Sequence, residues 1–427
     1  VIDETNNITY ACGFSESTIY GVQPTLTAFT TSSGEIINTT VYGTGFNGIF
    51  ESIILYNGFL YCVGYVQSSN ILYNAVIVKF NQFGGVVWQR GFTTSSNKIT
   101  AFTGIVHNGE LGTDYIYVTG YSTDTNSRMD GILVKFDTEG NKVWQQRSYN
   151  DVTENTLFND VDVINGEIII SGLTGENGFL SKIVNLTGAL VDTHIITNND
   201  SEVSVEYHDT YVDATHYYSV GNTGSSSMIH KIERTTGNVE WSKIIDSSKI
   251  KSITTRNSNT ELIVVGSAVS IDNNGAIHYL SPTTGEFLRD SHLIYHTDGG
   301  TKIIEYNSVY ISSADDIHAF GTANNTDAVK TDSAYFKAED AGLNIVGAGL
   351  TLPQYVIKKE LLTISNDDVV SSSISLTQFD DTDLFFIQVT LSFLTNAITF
   401  INNSTLFLPV AISPTPTPTV TPTPSNS

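Results

Sequence analysis

Basic residues are scarce in this chain of 427 residues: 20 Lys and Arg stand against 44 Asp and Glu, for a net charge of −24. A surface this acidic cannot neutralise phosphates, which argues against nucleic-acid binding and disfavours anionic membranes. It suits a well-solvated surface and leaves cation binding open. Cysteine is almost missing. Cys12 and Cys62 are the two thiols, too few for a disulfide-built scaffold, and no Cys-x-x-Cys or Cys/His spacing points to zinc. No apolar run of about 18 residues occurs, so no transmembrane helix is expected. Phosphate-loop and nucleophile-elbow motifs are absent as well. The chain begins at Val1 with no charged and apolar leader, which fits a mature secreted protein whose signal peptide has been removed.

What is present is strand-forming: Tyr and Phe number 21 each and 40% of residues are hydrophobic. One pattern recurs. An apolar strand ends in a small residue, a polar loop follows, a second strand carries Lys near its end, and a Gly-containing turn leads into a third strand, sometimes with Trp. The clearest copies run from Leu60 to Phe92 and from Thr113 to Ser148. The marker glycines are Gly13, Gly64, Gly120, Gly172, Gly221, Gly266 and Gly321. They recur about every 50 residues, the period of a four-stranded propeller blade. A strand-interior Gly permits close backbone approach, and the turn glycines supply positive φ. A less regular fourth strand precedes most markers, as in FESIILYN, FTGIVHN and FNDVDVIN. Lys79, Lys135, Lys182, Lys231 and Lys337 recur with Trp88, Trp144 and Trp241 in the next strand. Such repetition indicates blade packing, with each stem over an aromatic ring and each amine in water.

The segments Asp114 to Gly120 and Asp130 to Trp144 resemble the SBBP β-propeller repeat, as do Gly64, Lys79, Gly84 and Trp88, and more loosely Gly221, Lys231, Gly237 and Trp241. The resemblance implies a module of secreted and cell-surface proteins, and it brings a fold without a shared active site.

The expected fold is therefore all-β: a propeller of seven or eight four-stranded blades over residues 1–403, with eight preferred because the copies are evenly spaced and a seven-bladed ring with the eighth unit packed outside as the alternative. The eighth copy would be DDVVSSSISLTQFDDTDLFFIQVT, Asp367 to Thr390, with Ser373 in the marker position. The first copy lacks the strand before its marker, so residues 404–412 (STLFLPVAI) are expected to close the ring or to add to the blade edge of a neighbour. Residues 413–427 alternate Pro with Thr and predict a polyproline II tail.

Candidate sites follow from this reading. Asn7, Asn38, Asn185, Asn199, Asn324, Asn402 and Asn403 begin N-glycosylation sequons, and Thr415, Thr417, Thr419, Thr421 and Thr423 are O-glycan acceptors of mucin-like type. Cys12 and Cys62 lie at opposite parity before their markers, so on neighbouring blades they face each other or face apart, as two thiols or as one bridge. His208, Asp209, Asp213 and His216 crowd one segment, and His292 and His296 lie four apart in strand territory. A structural calcium could draw on Asp124, Asn126 and Asp130, on Asp315 and Asp316, or on Asp380, Asp381 and Asp383, although none has EF-hand spacing. No catalytic residue and no cofactor is nominated.

The function expected is that of an extracellular or cell-surface structural protein, the self-assembling subunit of a glycosylated filament with its C-terminal segment docked on a neighbour. The alternative is a carbohydrate- or protein-binding propeller. An enzyme ranks last, and a carboxylate-lined channel with perturbed acids would be its mark.

Overall fold

The computed structural model describes residues 1–338, apart from short stretches between strands, and then six strands between residues 355 and 393. All regular structure there is β. Consecutive antiparallel strands form seven sheets. Sheet 1 holds Ile2–Asp3, Ile8–Ser17, Gly21–Thr30 and Ile36–Gly43. Sheet 2 holds Gly48–Tyr56, Phe59–Ser69, Leu72–Asn81 and Val86–Thr94, and sheet 3 holds Thr100–Asn108, Tyr115–Thr123, Met129–Asp137 and Lys142–Tyr149. Sheet 4 runs from Thr156–Ile164 to Leu190–Asn198, sheet 5 from Val205–Val212 to Val239–Ile245, and sheet 6 from Ser248–Arg256 to Ser291–His296. Sheet 7 has three strands among the described residues, Ile303–Ile311, Ile317–Asn325 and Lys330–Ala338.

Buried apolar clusters alternate with the sheets. Tyr61, Val63, Phe92, Phe102 and Phe136 fill the space between sheets 2 and 3. Tyr207, Val212 and Tyr217 of sheet 5 meet Ile169, Leu180 and Ile196 of sheet 4. Sheets 2 to 6 thus each bury both faces against their neighbours, the logic of radial packing in a propeller. Sheet 7 meets sheet 1: the Glu4 carboxylate accepts from the Ser313 amide at 2.7 Å and from the Ser313 hydroxyl. The rings of Phe29 and Phe320 lie 6.3 Å apart across the same seam.

Six sheets among the described residues carry four consecutive strands, so of the expected seven or eight four-stranded blades six are shown. The segment read as an eighth copy does not form a blade. Val369–Ser373 pairs with sheet 4, Thr377–Phe379 with sheet 3 and Leu384–Ile387 with sheet 2. They belong to a strap. Tyr355–Glu360 extends sheet 6, Ile364–Asn366 extends sheet 5, and Ser392–Phe393 extends sheet 1, each antiparallel to the outermost strand. The chain thus travels back over the sheets in the order 6, 5, 4, 3, 2, 1. Composition explains the difference. The third-to-fourth-strand turns of sheets 1 to 6 use Gly34, Gly84, Gly140, Gly188, Gly237 and Gly285 at positive φ, whereas no glycine occurs after Gly349. Without such turns the segment stays extended and pairs with existing edges.

The strand missing before the first marker is supplied by Ile2–Asp3, which pairs with Ile8 and Thr9. Residues 404–412, expected to close the ring, lie outside the described residues, as does the Pro/Thr tail.

Candidate functional site

The innermost strands build the axis of the molecule. Each of sheets 2 to 7 carries a β-bulge there, at Glu51, Thr103, Asn159, His208, Lys251 and Asn307. The bulge lies beside the marker glycine: Gly64 opposes Phe50, Gly172 opposes Phe158 and Gly221 opposes Tyr207. A Cβ added at Gly64, Gly120, Gly172, Gly221, Gly266 or Gly321 would come closer than 3.0 Å to a carbonyl oxygen of the inner strand. The markers are glycine because the bulged strand presses against them.

Bulging frees backbone amides, and the next sheet's neighbour uses them. In sheets 4, 5 and 6 the residue after the bulge reaches round the axis: Asp160 accepts from the Thr210 amide at 3.1 Å, Asp209 from the Ile253 amide at 2.9 Å and the Ser252 hydroxyl at 2.6 Å, and Ser252 from the Val309 amide at 3.3 Å. The bulge residues add Thr103 Oγ1 to Phe158 O at 2.6 Å and Asn159 Nδ2 to Tyr207 O at 2.7 Å. Around this relay lies a polar pocket of about 260 Å³ lined by Asp160, Asp162, Asp209, Thr210, Ser252 and Ser308, among others.

Burial pushes the Asp160 carboxyl well above the usual range, aided by the Asp209 charge beside it. Asp209 is raised too, chiefly by burial, against the pull of its donors, which include Asp160 itself. Two carboxyls in hydrogen-bond contact favour sharing a proton. The channel therefore has the perturbed acids that would mark an enzyme. Their oxygens are engaged with the neighbouring sheets: Asp160 accepts from the Thr210 amide, and Asp209 from the Ile253 amide and the Ser252 hydroxyl. His208 is driven down to about 3 by burial and by Lys251, so it is a neutral ring at neutral pH. It sits at the axis, while Asp213 and His216 form a turn at the other end of the same strand, where Asp213 Oδ1 accepts from the His216 amide at 2.7 Å. The crowded segment is therefore two separate places.

The other candidates are dispersed. Asp130 is fully buried between Arg128 Nε at 2.7 Å and Arg147 Nη2 at 2.6 Å, an ion-pair role. Asp315 is a positive-φ turn residue. No group of three or more His, Cys, Asp or Glu able to hold a metal occurs among the described residues. His292 and His296 share the strand Ser291–His296. Asp124, Asn126, Asp380, Asp381 and Asp383 lie outside the described residues. Cys12 and Cys62 are free thiols of the core between sheets 1 and 2, and burial together with the Cys12 thiol pushes Cys62 up. Asn7 and Asn38 are exposed, whereas the Asn185 side-chain oxygen accepts from Lys135 at 2.9 Å and from Tyr117. Asn324 lies in the strand Ile317–Asn325. Asn199, Asn402, Asn403 and Thr415 to Thr423 lie outside the described residues.

The repeated lysines depart from the expectation of solvated amines. Lys79, Lys135 and Lys231 are buried. Lys79 Nζ and Trp88 Nε1 both donate to Thr138 O of the next sheet, at 3.0 and 3.1 Å. Lys135 and Trp144 do the same at Asn185 O, at 3.2 Å each. Lys and Trp together hold the following sheet's turn.

At the outer surface another bulge recurs. The register skips Ile37, Val87, Val143, Val191 and Glu240 in the fourth strands. Each lies three residues after its turn glycine, as Leu288 does. Ile37, Val87, Val143, Val191 and Leu288 are 48 to 54% exposed. Phe83 and Leu186, in the turns beside them, are exposed as well. The strap pairs only with the later part of these strands, for example Gly91 to Thr94 in sheet 2 and Arg147 to Tyr149 in sheet 3.

Sequence reasoning missed both bulges, yet each has a signal. The inner one reads as a large residue, any residue, then Ser, Gly or Asp: FES, FTG, FND, YHD, IKS and YNS.

No family model matches the chain. Over 194 residues it is 25% identical to the outer membrane protein assembly factor BamB of Kangiella koreensis, covering 45% of this chain and 45% of that protein. The chain thus spans less than half the length of that relative. Among solved structures, the Dos1 propeller aligns with a TM-score of 0.46 and 12% identity over 77% of this chain and 81% of that one. A putative 6-phosphogluconolactonase from Bacteroides uniformis aligns with a TM-score of 0.35 and 10% identity over 72% of this chain and 98% of that one. At these levels the propeller assignment rests on the sheets themselves.

Proposed function

We propose that this chain is a non-catalytic, protein-binding propeller of the cell envelope or cell surface, built of SBBP-type repeats, whose partner is a second copy of itself. The supporting observation is the row of exposed aliphatic side chains at equivalent bulges of the outer strands. A bulged, solvent-facing residue contributes nothing to its own ladder, so its own sheet does not call for an apolar side chain. Apolar groups repeated there beside open strand edges suit the docking of extended protein segments. The distant relative bears the name of an assembly factor, which agrees with protein binding. The axial carboxyls are spent on joining the sheets, which supports a non-catalytic reading. Attached glycans and assembly into filaments belong to this proposal, with the Pro/Thr tail as the glycosylated spacer.

Velocity sedimentation and electron microscopy over a hundredfold concentration range provide the test. Concentration-dependent oligomers are expected, and the triple variant Val87→Asp, Val143→Asp and Val191→Asp should abolish them while leaving the melting temperature nearly unchanged. A parent protein that stays monomeric throughout overturns self-association. A monomer that retains a defined sugar on a glycan array would establish the carbohydrate-binding alternative.

A further inference from the structure

The strap visits six sheets in strict reverse order and reaches sheet 1 at Ser392–Phe393. Sheet 1 abuts sheet 7 through the Glu4 contacts to Ser313 and Tyr310. The next station in the same direction is therefore sheet 7, the one sheet to which no strap strand is assigned among the described residues. We propose that residues 397–401 (AITFI) continue the strap onto the outer edge of sheet 7 of the same chain.

Three observations carry this. The first is spacing. Strap strands begin at residues 355, 364, 369, 377, 384 and 392, so each step spends about seven residues, or about 24 Å of extended chain. One more such step from residue 392 arrives near residue 399. The second is composition. Residues 397–401 combine β-branched and aromatic side chains, the types that suit a pleated edge, and the last described strap strands, Leu384–Ile387 and Ser392–Phe393, are similarly apolar. The third is the edge. Each of the six described strap strands adds antiparallel to the outermost strand of its sheet, and the outer edge of a sheet offers a row of backbone donors and acceptors. Cis pairing is favoured because the segment starts beside sheet 7 on its own ring, so closure costs only a short loop.

The occupant proposed here is distinct from the bulge surface proposed to bind a second copy, and the two fail separately. The test is hydrogen exchange read by mass spectrometry on three proteins: the full chain, a chain ending at residue 412 and a chain ending at residue 396. Peptides within residues 330–350 should be equally protected in the first two and exchange at least tenfold faster in the third, with sheets 2 and 3 unchanged. In the full chain, Ile398→Pro with Phe400→Pro should reproduce the third pattern, because proline removes ladder donors. Equal protection in all three proteins overturns the proposal. So does protection that appears only at high concentration, which would assign the strand to another copy, and so does a loss spread evenly over all seven sheets.

Discussion

Gly13 in sheet 1 and Gly120 in sheet 3 hold the same place in the repeat and answer to different neighbours. A Cβ on Gly120 would overlap the carbonyl of Ala101, whereas a Cβ on Gly13 meets nothing within 4 Å. The cause lies one strand inward. In sheet 3 the inner strand Thr100–Asn108 runs the full width and bulges at Thr103 beside the glycine. In sheet 1 the inner strand is Ile2–Asp3 and stops at Thr9, short of Gly13. The marker is thus a demand of the bulged inner strand rather than of the strand that carries it. Gly120→Ala should cost upwards of about 4 kcal/mol or prevent folding, because backbone must move against backbone. Gly13→Ala should change stability by less than about 1 kcal/mol, with a gain as reasonable as a loss, since it only restricts the unfolded chain. Urea unfolding of the two variants checks this, and equal effects would break the contrast.

The same contrast shows what the sequence makes legible. Gly64, Gly120, Gly172, Gly221, Gly266 and Gly321 stand out because one geometric need recurs six times, and repetition turns a weak local signal into a period. The strap is legible only by a negative, the lack of glycine after Gly349. Its strands are two to six residues long, and apolar patches between polar residues arise equally from a blade and from a belt, so Asp367 to Thr390 aligned with a repeat it does not form. The axial pair was out of reach for another reason. Asp160 and Asp209 each follow a bulge that shifts the face on which a side chain points, and strict alternation cannot anticipate that shift.

A second contrast separates buried from open lysines. Lys135 donates to Asn185 O at 3.2 Å and lies 3.7 Å from the centre of the Tyr115 ring, and burial lowers its pKa. Lys182 is paired with Glu167 at a side-chain exposure of 33%. Lys135→Met should cost about 2 kcal/mol, since it removes a cation over a ring and leaves Asn185 acceptors without this donor. Lys182→Met should cost less than about 1 kcal/mol. Thermal unfolding of both variants at one pH measures the difference, and a larger loss at Lys182 would show that the bond from Lys135 to the next sheet's turn carries little stability.

The axis and the rim also differ in how they answer to pH. Asp160 and Asp209 are raised in the fold, so the folded state holds its shared proton more tightly than the unfolded chain does. That contribution is complete below the ordinary Asp range and is lost as pH rises through the raised values. Asp213, held below its usual range by the Thr215 and His216 amides, works in the opposite direction: its contribution is present above the ordinary range and disappears as pH falls. Asp209→Asn should therefore flatten the decline in stability above about pH 4 relative to the parent, with urea midpoints from pH 4 to 8 as the measurement. A parallel pair of curves would show that the carboxyls share no proton.

The smallest stability effect is expected where sheet 5 departs from the other outer strands. Its bulge residue is Glu240, paired with Lys231 at 2.7 Å and His216 at 3.1 Å, in the position that holds Val143 in sheet 3 and Val191 in sheet 4. Both partners hold its carboxyl below the usual range, but the group faces solvent, where screening leaves such pairs little net worth. Glu240→Val should change stability by less than about 1 kcal/mol while making the aliphatic row continuous from sheet 1 to sheet 6. If that row is the docking surface, the variant self-associates at lower concentration in sedimentation, by roughly tenfold for about 1.4 kcal/mol of added contact. An unchanged or weaker association, with stability intact, would mean that the exposed valines serve only their own bulges.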